Sequence, residues 1–201
     1  NNTGSGNGYD GIQVSGTISG TVHWTANANF PYIVYSGLTV NEGASLTLDP
    51  TTVVKFEDSA SRLTVRGTLT ADADAGSETI FTSLQDDGYG GDTRHDGGAT
   101  TPGPGDWSQI LVAGGTATLD HVVIRYGAGG SYSDSCGMLR NEGDLSLTNS
   151  DVSYSSSHGL CHRGTSVTIS DNSFHGNVQY GVYNANTSVQ VNAENNWWGS
   201  H

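Results

Sequence analysis

Apolar and polar residues alternate over short stretches along the whole chain. Each stretch is about three residues long and is bounded by Gly, Asn, Asp or Ser; the clearest are residues 12–14, 46–48, 63–65, 145–147, 167–169 and 189–191. Alternation with a period of two residues is typical of β-strands, and no window shows helical spacing over three turns. The pattern therefore predicts an all-β protein whose strands are shorter than those usual in globular sheets.

The alternating pairs recur at a fixed step in the second half of the chain. The pair at positions 145 and 147 is followed 22 residues later by the pair at 167 and 169, and after 22 more by the pair at 189 and 191. Glycines at 137, 159 and 181 share this step, and residues 119–126 resemble residues 147–154 at a step of 28. Repeats of this length with three short strands each predict a solenoid of about seven or eight stacked parallel coils. The alternative is an antiparallel sandwich with accidental spacing.

The repeats predict one solenoid domain over residues 11–201. Residues 1–10, rich in Gly and Asn, are expected to form a linker. Residues 85–106 interrupt the strand pattern with a Gly- and Asp-rich segment that a coil does not need, and long insertions of this kind are often functional. We expect this acidic insertion to form a loop on the surface of the solenoid.

Aromatic residues stand where each end of the solenoid is expected. Residues 11–35 are predicted to form an N-terminal cap in which Trp24 and Tyr32 fill the first open coil, because an exposed parallel edge invites aggregation. Residues 195–199, with Trp197 and Trp198, are predicted to close the other end of the core. With both ends capped, we expect a monomer.

Charge and composition narrow the possible partners. The 201 residues carry a formal net charge of −13, which argues against binding nucleic acid or anionic lipid. No apolar run is long enough to span a membrane. Abundant Gly, Ser, Thr and Asn with a single lysine favour an extracellular or cell-surface protein. The strands and turns also carry a resemblance to a known family, and its residues are 16–18, 38–48, 53–56, 66–71, 80–83, 105–107 and 195–199.

These segments resemble the right-handed parallel β-helix repeats of secreted bacterial and archaeal surface proteins in the pectate-lyase-like superfamily. The resemblance implies an all-β, right-handed, single-stranded parallel β-helix. It is specific for architecture rather than activity, because the superfamily includes lyases, hydrolases, adhesins and repeats without known chemistry.

The acidic insertion contains the strongest candidates for a metal site. Hard cations such as Ca²⁺ take six to eight oxygen ligands, which Asp side chains and loop carbonyls supply. Residues 92–97 resemble the first half of a calcium-binding loop, although Arg94 stands where a ligand is expected and Gly103 stands at the twelfth position. We predict a looser Ca²⁺ site, with a solvated acidic loop as the alternative; its candidate ligands are Asp86, Asp87, Asp92, Asp96 and Asp106.

The sequence gives little evidence for a set of catalytic residues. A polysaccharide lyase needs a base, but Lys55 alternates with Val54 and Phe56 and is predicted to be an ordinary outward residue. A glycoside hydrolase needs two carboxylates flanking the scissile bond, and Asp151 and Asp171 have no acidic match one coil away. The seven histidines are interpreted as surface residues. Threonine pairs such as 68/70 and 116/118, which could bind ice if they formed a regular array, do not recur at the coil period.

Aromatic residues offer a binding site for a polysaccharide or another cell-surface glycan. Tyr126 and Tyr154 stack in the 28-residue alignment and are the predicted ligand-binding residues; Tyr89, Tyr132, Tyr180 and Tyr183 could extend them into a platform. A purely structural ladder of stacked rings is the alternative. We expect a non-catalytic extracellular module, structural, adhesive or carbohydrate-binding, with a polysaccharide lyase or glycoside hydrolase as the alternative.

Cys136 and Cys161 are the only cysteines, and two cysteines in a secreted chain suggest one disulfide. The 22-residue register places them three residues apart along the coil, which is about 10 Å in an extended chain. A bend around residues 135–137 would be needed to close that distance.

Overall fold

The computed structural model describes residues 2–130 and 136–199. Within them the chain forms eighteen strands and no α-helix. In chain order the strands are β1 (Ile12–Ile18), β2 (Thr21–Trp24), β3 (Tyr32–Val40), β4 (Ser45–Leu48), β5 (Val53–Phe56), β6 (Arg62–Val65), β7 (Thr68–Asp72), β8 (Thr79–Ser83), β9 (Ile110–Val112), β10 (Thr116–Asp120), β11 (Val122–Arg125), β12 (Gly137–Asn141), β13 (Asp144–Thr148), β14 (Asp151–Ser153), β15 (His158–His162), β16 (Ser166–Ser170), β17 (Ser173–His175) and β18 (Val182–Asn184).

The strands stack into a parallel β-solenoid of about seven turns, which confirms the predicted fold class. Three faces surround the core. The third face is the six-stranded sheet β2-β4-β7-β10-β13-β16. The larger sheet bends at β3, whose first half pairs with β5 and whose second half pairs with β6. It therefore forms a first face that continues through β8, β11, β14 and β17, and a second face that continues through β9, β12, β15 and β18.

Strand register confirms the repeat in part. Leu145 pairs with Val167 at a step of 22 residues, and Leu119 pairs with Leu147 at a step of 28. On the second face, however, Gly137 pairs with His158, a step of 21, so the predicted alignment of Gly137 with Gly159 is wrong by one residue. The first and third faces both step by 28 and then 22 residues, whereas the second face steps by 29 and then 21.

The predicted strand at residues 189–191 is absent, so no pair at 189 and 191 extends the third face beyond β16. The Asn184 amide donates to the carbonyl of Val189 at 2.7 Å, and Asn186 accepts from the Ser188 amide at 3.1 Å. These local bonds satisfy the backbone in place of a strand ladder. Val191 still packs against the core, so the apolar pattern located a partly buried side chain but not its backbone conformation.

Inward side chains form continuous columns in the core. One column of the third face runs through Leu48, Ala71, Leu119, Leu147 and Ile169, all buried. A single coil could not shield these residues, whereas stacked coils bury them against one another, and this burial is the main stabilising term.

The corners of the solenoid have specific backbone requirements. Between the third and first faces, His121, Asn149, Asp171 and Asn195 all have positive φ, of 50° to 62°. Asn and Asp tolerate this left-handed conformation better than most residues, as the sequence predicted for 149 and 171. The side chain of the following residue then bonds across coils: Asn172 accepts from the Ser150 amide at 3.0 Å.

Between the second and third faces, the corner consists of stacked glycines. A Cβ on Gly143 would clash with the carbonyl oxygen of Gly115, and one on Gly115 would clash with that of Gly67. Backbones of successive coils therefore touch at this corner. The remaining corner, between the first and second faces, is the point at which both long insertions leave the solenoid, after β8 and after β11.

Both ends of the solenoid carry stacked aromatic residues. Residues 11–35 contain β1 and β2, which are the first coil itself, and Trp24 stacks on Tyr32 with ring centroids 4.2 Å apart. Within the predicted linker, Asp10 is buried and its amide donates to the Thr93 carbonyl at 3.0 Å, because the acidic insertion folds over it. At the other end, Trp198 stacks on Phe174 yet remains 49% exposed.

Among the residues that the structure describes, none lies in a helix with the length and apolar character needed to cross a bilayer.

Gly143→Ala is expected to destabilise the protein by about 1–3 kcal/mol, because the new methyl group must displace the backbone of the neighbouring coil. Gly20→Ala is the matched control, since a Cβ there meets open space, and we expect a change within about 1 kcal/mol. Urea unfolding of the three proteins measures both effects. Equal stability of the two variants would contradict the close stacking of coils at this corner.

Candidate functional site

The acidic insertion folds back over the outer side of the first face and covers Lys55. The Lys55 side chain points away from the core, as predicted, but it is fully buried. Its Nζ donates to the carbonyl of Gly91 and to the hydroxyl of Thr93, both at 2.8 Å. The prediction that Lys55 is an ordinary surface residue is therefore wrong, because the inserted segment replaces water around its ammonium group.

Asp86 anchors the start of the same insertion. Its buried carboxylate accepts from Arg125 Nε at 2.9 Å, from the Thr82 hydroxyl and from the Gly88 amide at 3.1 Å. A buried carboxylate needs such partners, since leaving it unpaired would be strongly destabilising. Asp86 therefore bonds to Thr82 of β8 and to Arg125 of β11, and these bonds fix the start of the insertion on the first face.

The five predicted metal ligands divide into two groups. Asp106, like Asp86, is used internally: it accepts from the Ser83 hydroxyl at 2.7 Å and from the Gly103 amide at 2.9 Å. Asp87, Asp92 and Asp96 come together, with one carboxylate oxygen from each lying within 4.8 Å of the others. The structure therefore brings three of the five candidates into one cluster, and Ca²⁺ binding there stays a prediction.

Burial shifts the pKa values of two groups near this cluster, that of Lys55 downward and that of Asp87 upward. Burial lowers the pKa of Lys55 from 10.5 to about 8, although Asp86, Asp87 and Asp92 oppose the shift. Burial and the neighbouring carboxylate of Asp92 raise the pKa of Asp87. A cation between the three carboxylates would relieve their mutual repulsion.

A groove of about 770 Å³ lies on the outer side of the first face, beside the insertion. Its floor consists of the outward side chains of β11, β14 and β17. Tyr89 from the insertion forms one wall, and the Arg125 guanidinium lies 4.4 Å from the centre of the Tyr89 ring. Because Arg125 also binds Asp86, the insertion and the groove wall are held by one side chain.

Aromatic rings follow the groove along the solenoid axis. Tyr126 stacks on Tyr154 with centroids 5.5 Å apart, the Tyr154 ring meets His175 edge-on at 5.4 Å, and His175 meets Trp197 at 5.6 Å. Trp197 is 52% exposed, and its backbone continues the first face by pairing with Ser173. The prediction that Tyr126 and Tyr154 stack is consistent with this row, which the structure extends by two further rings.

Two of these tyrosines have an unusual backbone. Tyr126 and Tyr154 have φ of 69° and 56°, a left-handed conformation that is uncommon for a bulky residue. The next residue in this column is Gly176, which has the same sign of φ without a steric penalty. The corner between the first and second faces thus has a column of left-handed residues, as does the corner at His121 and Asn149, and glycan binding by the two tyrosines stays a prediction.

Polar groups on the groove floor are also linked across coils. The Asp151 carboxylate lies 2.7 Å from His175 Nε2 and also accepts from the Ser153 hydroxyl. Asp151 and His175 were not predicted as site residues. The register could have identified them, because it places His175 in one outward column with Arg125 and Ser153, and Asp151 in the adjacent outward column.

The remaining predicted aromatic residues lie elsewhere. Tyr180 and Tyr183 flank His158 at centroid distances of 5.3 and 4.5 Å, on the end of the second face, and Tyr132 lies outside the described residues. His158 and His162 are buried, which contradicts their interpretation as surface residues, and burial lowers the pKa of both. These residues therefore do not extend the platform at Tyr126 and Tyr154.

Cys136 and Cys161 form a disulfide in the structure, with their Cα atoms 5.8 Å apart. Cys161 pairs in register with Arg140, but the absence of a side chain at Gly137 allows close approach, since a Cβ there would lie 3.0 Å from Cys161 Cβ. The bridge ties the end of the insertion that follows β11 to the next coil.

Comparison of the chain with protein-family models, curated proteins and solved structures finds no match. The resemblance to the pectate-lyase-like superfamily therefore rests on the sequence segments and the solenoid fold, and the right-handed winding stays a prediction.

The pH dependence of stability tests the burial of Lys55. Unfolded Lys55 keeps its proton up to pH 10.5, whereas folded Lys55 loses it near pH 8. Between these values the unfolded state binds more protons, so the free energy of unfolding rises with pH, by on the order of 3 kcal/mol in total. Lys55→Met should lack this rise. Urea unfolding between pH 7 and 9.5 measures the difference, and parallel curves for the two proteins would disprove it.

Calcium binding by Asp87, Asp92 and Asp96 is expected to raise the melting temperature. A ligand present at 100 times its Kd adds about 2.7 kcal/mol to the free energy of unfolding. Scanning calorimetry with Ca²⁺ and with a chelator measures the shift. Asp87→Asn should abolish it, whereas Asp74→Asn, at an exposed carboxylate outside the cluster, should not. An identical melting temperature with Ca²⁺ and with chelator would remove the metal site.

Proposed function

We propose that this chain is a non-catalytic, extracellular carbohydrate-binding module that holds a glycan chain along the groove of the first face. The observation that carries the proposal is the row Tyr126–Tyr154–His175–Trp197, of which Tyr154, His175 and Trp197 line one groove beside hydrogen-bonding side chains. Sugars combine apolar ring faces with hydroxyl edges, and a site of aromatic rings and a few polar groups complements both.

Charge favours a neutral glycan over a polyuronate. The groove contains three carboxylates, those of Glu78, Asp151 and Asp171, and its guanidinium, on Arg125, is paired with Asp86. The chain as a whole carries a net charge of −13. An anionic polysaccharide would be repelled by this field, whereas neutral sugar hydroxyls can donate to the carboxylates.

The hydrogen bonds of Asp151 support binding of a glycan rather than its cleavage. A hydrolase requires one carboxyl group as acid and a second as base or nucleophile on opposite sides of the scissile bond. Asp151 is bonded to both Ser153 and His175, and one coil further along the position of Asp151 is occupied by Ser173. The Asp151–His175 pair is nevertheless the feature that favours the alternative, a glycoside hydrolase, and the same experiment separates the two functions.

Removing a ring from the groove is expected to weaken glycan binding. Trp197→Ala and Tyr154→Ala should each raise the Kd for a soluble neutral polysaccharide about fivefold, because an aromatic contact contributes on the order of 1 kcal/mol. Tyr35→Ala is the matched control, since Tyr35 is 47% exposed and lies outside the groove. Affinity electrophoresis against a panel of neutral and uronate-containing polysaccharides provides the measurement.

Hydrolysis is followed in parallel as the release of reducing ends, with Asp151→Asn as the variant. Binding that depends on Trp197 and Tyr154 without release of reducing ends supports the module. Turnover abolished by Asp151→Asn establishes the hydrolase instead. Retention that neither ring substitution changes rules out the groove as the binding site.

A further inference from the structure

The histidines of the chain divide into two kinds by their surroundings. Four of them lie 2.5–3.3 Å from a carboxylate that can pair with their charged form, and these are His23, His95, His121 and His175. His158 and His162, at the two ends of β15, are buried and form no ion pair with a described carboxylate. Protonation in acid is therefore compensated at the first four sites and uncompensated on β15.

A hydrogen bond from Asn141 fixes the protonation state of His162. Asn141 Nδ2 lies 3.1 Å from His162 Nδ1 and also donates to the Ser166 carbonyl at 2.8 Å, while Asn141 Oδ1 accepts from the Gly143 amide at 3.0 Å. Two backbone groups thus orient the amide of Asn141, and it presents a donor to the imidazole. Nδ1 must be the acceptor, so the folded chain requires neutral His162 with its proton on Nε2.

The surroundings of His162 oppose a positive charge on its ring. The side chain is fully buried, and Nε2 has no hydrogen-bond partner. Its neighbours in register, Asn141 and Asn184, are uncharged. The charged residues that flank Asn141 and His162 in the sequence are Arg140, Glu142 and Arg163. Glu142, the acid among them, accepts from Arg140. Burial accordingly lowers the pKa of His162.

His158 is held in the same protonation state at the other end of β15. The backbone amide of Tyr180 donates to His158 Nδ1 at 3.2 Å, and since a backbone amide can only donate, Nδ1 is again the acceptor. The rings of Tyr180 and Tyr183 lie against the imidazole, and their phenol groups are uncharged in acid. Burial lowers the pKa of His158. Asp134, in the insertion that follows β11, lies outside the described residues.

Both histidines face the last coil, residues 176–199. Tyr180 leads into β18, which pairs with β15 and places Asn184 beside His162. The disulfide between Cys136 and Cys161 ties β15 to the preceding coil, so a charged histidine on β15 gains water only if the following coil moves away.

We propose that β15 is an acid-sensitive latch, at which protonation of His158 and His162 releases the last coil from the rest of the solenoid. Coils of a solenoid contact only their neighbours, so the final coil can open while the others stay folded. The direction of the pH effect follows from linkage. A histidine in contact with water takes up a proton near pH 6.5, whereas burial makes these two resist it. Below pH 6.5 the open state therefore binds more protons, and the closed state loses stability as the pH falls.

Acid opening also removes one end of the glycan groove, a consequence that rests on the proposed function. The last coil contains Trp197, whose backbone pairs with Ser173 at the end of the first face. Release of this coil takes the exposed Trp197 ring away from Tyr154 and His175. We therefore expect the chain to retain a neutral polysaccharide less strongly at pH 5.5 than at pH 7.5.

Hydrogen exchange followed by mass spectrometry tests the latch on the whole chain with its disulfide intact. After correction for intrinsic exchange rates, peptides from residues 158–199 should lose protection between pH 6.5 and 5.5, by up to about tenfold for each histidine, whereas peptides from β3 to β8 keep theirs. His158→Gln and His162→Gln should each reduce this loss. His23→Gln is the matched control, because His23 is exposed and lies 2.5 Å from Asp49, and it should leave the loss as large as in the parent chain.

Nitrogen NMR of the imidazoles provides a measurement that does not depend on the variants. At pH 6, where a free histidine is mostly charged, His162 and His158 in the parent chain should be neutral with the proton on Nε2. A charged His162 in the folded protein at this pH would overturn the proposal. So would a loss of protection that is equal along the whole solenoid, or one that neither glutamine variant reduces.

Affinity electrophoresis at pH 7.5 and 5.5 tests the link to the groove. Retention that falls at pH 5.5 in the parent chain, and falls less in His162→Gln, supports regulation of glycan binding by the latch. Equal retention at both pH values, together with opening of the last coil, contradicts this link. Absence of retention at either pH contradicts the proposed function alone, because the exchange experiment tests the latch without a glycan.

Discussion

Parallel stacking of coils in register is the constraint on which this structure depends. The backbone amides and carbonyls of each strand find partners in the coils before and after it, so each turn of the chain must return to the same height at all three corners. The glycine column at one corner and the left-handed residues at another satisfy this requirement. The same constraint aligns outward side chains, so the floor of the groove on the first face consists of columns of residues that lie far apart in the sequence.

Burial of charge gives the acidic insertion its position. A loop rich in Gly and Asp has little apolar surface with which to pack, yet this one lies against the first face because Lys55 and Asp86 lose water and take protein partners. Arg125 connects the two features, since it binds Asp86 on one side and lies against Tyr89 and Tyr126 on the other. The groove therefore depends on electrostatic contacts that stabilise the insertion.

The architecture could be predicted from the sequence because it depends on local alternation and on repetition. Positions such as Leu119, Leu147 and Ile169 stack as their spacing indicates. The path of the insertion could not be predicted in this way: nothing near Lys55 in the sequence indicates that residues 91 and 93 will cover it. The pairing of Asp151 with His175 was missed because histidines were interpreted one by one rather than through the register.

The corner between the first and second faces has its own cross-coil contacts, since Asn177 accepts from the Ser155 amide and a Cβ on Gly129 would clash with the carbonyl oxygen of Gly105. Both long insertions depart from it. Additional residues are accommodated there without breaking the stack, because Gly105, at the end of the acidic insertion, donates its amide to the Tyr126 carbonyl of the next coil. Solenoids of this kind that bind other ligands should therefore differ first in the length and composition of the loops that leave this corner.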